Sequence, residues 1–508
     1  MTDLAISQER PMRAFRFSHL KLSGEMRLII FLALFVGLLS IAPLGRLVYA
    51  AFFADGSFDL DRVAKILGGR RVLQATGNTI WISLAATAFA CVLGTLAALL
   101  VGMTNMKART AWVFGFVLPL MIPPQVIALA WVQSFSPASP LLAPLGLTLE
   151  PGTRHPLYSA WGIIMLLGFY NAPLVFLSVR ASLRRVPTNL IEAAQSAGAH
   201  PLSVVLDIVL PLVRSGIFAG AALAFVSSIG NFGIQAMLGI PARVPTLITM
   251  IYRRLNSYGP SALNDMALLA LLLAVLTILG MAVTGWLGRR GDQRVEGSNN
   301  SVRLSLGRWH WPVATLAWGY LVGILVLPLS SLVGSALVRG YGQPLTLETL
   351  TFENFNNALF RHEGIREAFA TSFMLTGLTV LILIPVSIAL GYFLVWRTGV
   401  VSRFLHLASE LAYALPGIII GVAMILFFLK PLPLVHVSIY GTIWVIFAAY
   451  LSNYLALALR PILGGFAQVD HSLNEAAQIA GASVFQRLRD IVLPVLAPSA
   501  AAAGSWFS

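Results

Sequence analysis

Two carboxylates, Glu192 and Glu475, open the same small-residue pattern, and an acid presented in that way can form a charge-assisted bond to a basic group on a partner protein. The first copy reads Glu192-Ala193-Ala194, then Gly198, then Ile208-Val209-Leu210-Pro211. The second reads Glu475-Ala476-Ala477, then Gly481, then Ile491-Val492-Leu493-Pro494, 283 residues later. Both have the form E-A-A-x3-G-x9-I-x-L-P. A single Glu-Ala-Ala would pass as an ordinary amphipathic helix at a membrane surface. Two copies at identical spacing imply two equivalent jobs.

The local physics predicts a helix, a turn and a second helix. Pro187 suits the first turn of a helix, because its fixed φ matches. Leu190, Ile191, Ala194 and Ala197 share one apolar face at helical spacing. Gly198 allows the left-handed conformation that ends a helix, and a second short helix can start near Pro201. The alanines leave a thin face that lets another backbone approach.

Other reactive residue types are scattered. The eight histidines, including His155, His310, His362 and His436, form no H-E-x-x-H or paired ligand spacing, so no metal site is expected. The single Cys91 lies in an apolar run and excludes an internal disulfide. No G-x-x-x-x-G-K-[ST] phosphate loop is present, so the chain is expected to bind no cofactor. Polar residues inside apolar runs are candidates for a transport path: Asn171, Asn231, Asn453 and Glu410, with Asn78, Tyr170 and Tyr454. Each could instead be hydrogen-bonding glue between helices. Glu410 could also sit at the cytoplasmic interface. Arg46 is expected to snorkel to the outer surface, and Asp265 to cap its helix.

The elements that position these residues are membrane helices. Of the 508 residues, 57% are hydrophobic and only 11% charged, with mean hydropathy +0.82, which excludes an ordinary soluble domain. A helix needs about 20 mostly apolar residues to cross a bilayer. The predicted spans are 28–53, 76–102, 111–135, 158–180, 211–230 and 263–288, then 311–335, 367–396, 404–429 and 439–459, followed by the stub 494–508. The fold class is therefore an all-α polytopic membrane protein. The net charge of +14 does not point to nucleic acid, because the basic residues are dispersed through short loops between apolar runs. With the N-terminus inside, the cytoplasmic segments hold 21 of the 34 Lys and Arg, which places both repeated motifs on the cytoplasmic face. The first apolar run, Leu28 to Leu44, is longer than a signal-peptide core, so it is read as an uncleaved span.

The predicted domains are a cytoplasmic tail 1–27, a first half 28–288, a polar cytoplasmic linker 289–310 and a second half 311–508. Gly162–Arg180 matches Gly441–Arg460, Pro124 parallels Pro416, and Thr104 parallels Thr398. The second half is expected to be incomplete at its C-terminus, since nothing in it answers to about 226–290.

At the repeated motif the chain resembles the membrane subunits of ABC importers that work with a binding protein. The resemblance covers about 76–290 and 367–508, and two fused halves resemble the ferric-iron permeases, with relatives for 2-aminoethylphosphonate and thiamine. Gly230-Asn231-Phe232-Gly233-Ile234, Leu238-Gly239-Ile240-Pro241-Ala242-Arg243, Thr246 and Ile251-Tyr252 look most like the iron and phosphonate members. The resemblance implies two tandem permease halves of about six spans each, in a bacterial inner membrane. It implies that Glu192, Ala193, Ala194 and Gly198, with Glu475, Ala476, Ala477 and Gly481, dock in two separate ATPase subunits that bind ATP and Mg. A periplasmic binding protein would deliver the substrate. An ion-coupled secondary transporter is the rival reading, but it gives no reason for twin alanine-rich loops. A membrane enzyme would need a cluster of catalytic side chains near one face, and none is evident.

Overall fold

The computed structural model describes residues 24–54, 57–257, 262–289, 306–397, 399–431, 438–466 and 468–505. The basic tail before Gly24, most of the predicted linker, Thr398 and His436 lie outside the described residues. Among the described residues the architecture is helical, apart from a two-stranded ribbon pairing Phe53 with Phe58 and an isolated bridge between Val338 and Leu350.

Seven described helices are long and apolar enough to span a membrane: Gly24–Phe52, Arg70–Met103, Ala160–Leu183, Ala262–Gly288, Gly307–Ala336, Glu363–Trp396 and Ile443–Phe466. In hydrocarbon every backbone N–H and C=O must find its partner inside the segment, so these apolar runs become helices. Pro173, Pro385 and Pro461 are accommodated within them.

Two predicted spans are broken by sharp bends, and a third has a bend at its start. The 111–135 run divides into Arg109–Met121 and Pro124–Phe135, bent by 105°, and the 404–429 run into Val400–Ala414 and Gly417–Phe428, bent by 110°. The span predicted at 211–230 is Arg214–Gly230, preceded at 65° by Pro201–Leu212. A fourth bent pair, Phe232–Ala242 with Leu247–Leu255 at 84°, occupies a stretch predicted to be a connection. Proline explains the first two bends: the residue before it is pushed out of the helical region. The structure also shifts the proline parallel by one residue. Pro123 (φ −54°, ψ 134°) and Pro416 (φ −52°, ψ 136°) hold the same extended conformation, whereas Pro124 already lies in the following helix.

The repeat is visible in element lengths. The paired helices Arg70–Met103 and Glu363–Trp396 each have 34 residues, and Ala160–Leu183 and Ile443–Phe466 each have 24. Pro124–Phe135 and Gly417–Phe428 each have 12. One crossing is conserved with its residues exchanged. In the first half Gly216 faces Ser182; at the equivalent crossing in the second half Ser499 faces Gly465. In both, a Cβ on the glycine would collide with the serine side chain, so one small residue must pair with an even smaller one for the backbones to meet.

Each half lends its first helix to the other. The far end of Gly24–Phe52 packs on Gly417–Phe428 and on Ala262–Arg289. Gly307–Ala336 lies on Pro124–Phe135, where Trp131 Nε1 donates to the Ile324 carbonyl at 3.2 Å, and on Arg109–Met121, where Trp112 Nε1 donates to the Ala317 carbonyl at 2.9 Å. These exchanges join the two halves into one bundle.

Candidate functional site

The two motifs form helices of nine residues, Thr188–Ser196 and His471–Ile479. Both end in the same way. Gly198 has φ +81° and Gly481 φ +82°, and neither has a heavy atom near where a Cβ would be. In the first, the Ala197, Gly198 and Ala199 N–H groups donate to the carbonyls of Ala193, Gln195 and Ala194 at 3.0, 2.9 and 2.9 Å. In the second, Ala480, Gly481 and Ala482 donate to Ala476, Gln478 and Ala477 at 2.9, 3.1 and 3.0 Å. This left-handed ending satisfies the last carbonyls and turns the chain into the next helix. Glu192, Ala193, Glu475 and Ala476 are exposed, and Ala194 and Ala477 half-buried. Each helix therefore offers an acid and a shallow apolar face. His471 Nδ1 lies 3.1 Å from the Glu475 carboxylate, one turn away.

The starts differ. Asp470 caps the second helix by accepting the Ser472 N–H at 2.9 Å, which holds its carboxyl below the usual carboxylate range. Pro187 occupies the corresponding place in the first and makes no side-chain cap.

The supports differ more. Beneath the first helix, Ile191 and Val204 are buried in an apolar cluster with Met103, Met106 and Val209. The equivalent positions of the second motif are Asn474 and Arg487, both buried. Arg487 Nη1 donates to Asn474 Oδ1 at 3.0 Å and to Tyr392 Oη at 3.1 Å, and Nη2 to Glu25 Oε1 at 2.9 Å. The same Glu25 oxygen accepts from Tyr392 Oη at 2.9 Å and Arg397 Nη2 at 3.0 Å. Sequence reasoning missed this network. Its signal was an arginine and an asparagine standing where the other copy of a close repeat has valine and isoleucine.

The polar residues proposed for a path are mostly tied to neighbouring helices or to their own backbone. Asn171 is fully buried: its amide donates to Ser228 Oγ at 2.8 Å and its carbonyl accepts from Ser227 Oγ at 2.6 Å. Gln235, also buried, donates to the Ser228 carbonyl at 2.8 Å, so these residues form one polar cluster. Asn231 caps Phe232–Ala242 by accepting the Ile234 N–H at 3.0 Å, and Asn78 donates to the Pro245 carbonyl at 2.8 Å. Asn453 is half-buried in Ile443–Phe466. Glu410 pairs with Arg460 at 2.9 Å, and the Arg460 guanidinium lies over the Tyr413 ring at 4.3 Å. Asp265 is not a cap: it lies inside the first turns of Ala262–Arg289, 3.6 Å from Arg62 and 3.7 Å from Arg254. Arg46 rests over the Tyr49 ring at 5.1 Å.

Comparison with known proteins gives a consistent result over both halves. The family described as the binding-protein-dependent transport system inner membrane component matches residues 91–297 and again 355–504. A probable ABC transporter permease protein, y4fN of Sinorhizobium fredii, is 26% identical over 469 residues, covering 91% of this chain and 81% of the relative. The Fe(3+)-transport system permease protein FbpB 2 of Haemophilus influenzae is 24% identical over 454 residues, covering 87% and 80%. The putative 2-aminoethylphosphonate transport system permease protein PhnU of Salmonella typhimurium is 28% identical over 219 residues, covering 42% and 75%.

Proposed function

The chain belongs to the binding-protein-dependent transport system inner membrane components, and from that premise we propose that it imports ferric iron and that its two Glu-Ala-Ala helices are the docking handles of separate ATPase subunits. It is a permease subunit of an ABC importer, a multi-pass protein of the bacterial inner membrane, and not itself an enzyme; hydrolysis belongs to separate subunits.

The coupling role is carried by one observation: two exposed helices of equal length end in the same left-handed glycine geometry. Closure of two ATPases around such handles would draw them together, tilt the spans and switch access to the path. Two like loops must face the same compartment to receive like partners, which agrees with the distribution of arginine and lysine; that distribution supports an N-terminus in the cytoplasm. ATP and Mg would be held on the ATPases, and a periplasmic binding protein would supply substrate.

Iron rests on the ferric permease relative aligned over 87% of the chain, against 42% for the phosphonate relative. The test is uptake of radiolabelled ferric iron, 2-aminoethylphosphonate and thiamine by cells whose own importers are deleted and which carry this chain with its ATPase and binding protein. Iron uptake that needs ATP is expected. Uptake of either other solute without iron overturns the substrate, and uptake driven by an ion gradient alone overturns the ATP-driven mechanism.

A further inference from the structure

Glu25 begins the Gly24–Phe52 helix, yet it is bonded to the surroundings of the second loop, hundreds of residues away in sequence. One carboxylate oxygen gathers three donors from two places: the end of Glu363–Trp396, through Tyr392 and Arg397, and the segment after the Glu475 helix, through Arg487. Arg487 is 3% exposed and reaches back to Asn474, the residue before Glu475. The far end of the same Gly24–Phe52 helix packs on Gly417–Phe428 and Ala262–Arg289, one from each half. The first of these follows the Pro416 bend, and Pro416 lies against Gly230 of the other half. A single helix thus joins the second loop to the seam between the halves.

The first loop has no such tie in the equivalent positions, where Ile191 and Val204 sit in apolar packing. The contrast is mechanical. Apolar contact is non-directional and lets surfaces slide, whereas charge-assisted bonds near 2.9 Å hold a fixed geometry until they break. A cleft of about 980 Å³, lined by Arg27, Phe31, Pro385, Phe485 and Leu493 among others, opens beside the network.

We propose that Glu25 is a positioning residue for the second loop: through Arg487 and Asn474 it ties the Glu475 helix to the first span, so that movement of this loop is carried along Gly24–Phe52 to the seam between the halves. The first loop has no polar tie of this kind at the equivalent positions, only apolar packing. The proposal rests on the coupling role given above for its direction of drive, but the tie itself can be tested without it.

The experiment is hydrogen exchange on the full chain in lipid nanodiscs, alone and with its ATPase subunits, with and without ATP. Without nucleotide, Glu25→Gln is expected to raise exchange in 471–487 by about tenfold, the equivalent of roughly 1.4 kcal/mol, and to leave 188–200 unchanged. With ATPase and ATP, the unmodified chain is expected to show a nucleotide response in both loops and in residues 24–36. In Glu25→Gln the loops still respond and 24–36 does not. General loosening of the fold would not remove a nucleotide response from one helix while sparing the loops. Tyr392→Phe deletes one hydroxyl and no charge, and is expected to shift 471–487 in the same direction by less. Glu25→Asp restores part of the protection. Equal change in both loops, no change in either, or a nucleotide response in 24–36 that survives Glu25→Gln overturns the tie. A wild-type chain in which ATP alters neither loop overturns the coupling role, while the nucleotide-free comparison still decides the tie.

Discussion

The Thr188–Ser196 and His471–Ile479 helices agree in length, in their Glu-Ala-Ala face and in the glycine that ends them, but opposite chemistry lies beneath them. Ile191 and Val204 lie in an apolar cluster; Asn474 and Arg487 bury a polar network that reaches Glu25. The exposed Glu-Ala-Ala face is the same in both copies, whereas the underside differs. A duplicated helix can therefore keep one outer face while resting on two different supports.

The comparison breaks most readily at the exposed acids. On the proposed docking role, Glu192→Lys and Glu475→Lys are each expected to lower uptake per inserted molecule by at least about tenfold, since each would set like charge against a partner's basic group. A large loss in one and none in the other would show that the loops are not equivalent in use. Next comes exchange of the supports. Val204→Arg places an unpaired charge in an apolar cluster and is expected to cost about 3–5 kcal/mol, read as a fall in the unfolding midpoint in detergent. Arg487→Met leaves Glu25 with Arg397 and Tyr392, so its cost is expected to be smaller, about 1–3 kcal/mol.

Gly198→Ala and Gly481→Ala probe what the copies share. Each forces a Cβ into left-handed backbone, at about 1–2 kcal/mol, and the two losses should match within error. Exchange rates in 188–200 and 471–482 would check it. The smallest effect concerns acid. The Asp470 carboxyl sits below its usual range because it accepts the Ser472 N–H, so its contribution is present above the unfolded-state value near 4 and is lost as pH falls through the lower folded value. Exchange measured below about pH 4 should show fraying at the start of the second helix and not at the Pro187 start of the first; Asp470→Asn should abolish the pH dependence.

Much of the membrane architecture was legible because lipid leaves a chain few choices. Seven helical spans arise where apolar runs of sufficient length stood in the sequence. The bends were less legible, since hydropathy averages across a proline as though it were any apolar residue. The pair Pro123-Pro124, and Pro416 after Tyr413-Ala414-Leu415, carried the signal in their local backbone preference. The pair Phe232–Ala242 and Leu247–Leu255 was concealed by Arg243, Arg253 and Arg254, which read as loop residues. Its caps were nonetheless present: Asn231 starts the first helix, and Thr246 with Thr249 starts the second. Among the path candidates, a buried asparagine looks the same in sequence whether it faces a channel or a serine. Only the position of Ser227 and Ser228 beside Asn171 shows where its hydrogen bonds go.

The sequence by itself determined what is local or repeated: the membrane character, the two halves and the twin helices with their glycine endings, because hydropathy, backbone preference and self-similarity are all properties of neighbouring residues. Tertiary structure alone decided what meets across hundreds of residues. It exchanged the first helix of each half, paired Gly216 with Ser182 and Ser499 with Gly465, and brought Glu25 to Arg487. A buried charge shows its partner only after folding, because the partner can lie anywhere along the chain and desolvation makes finding one obligatory.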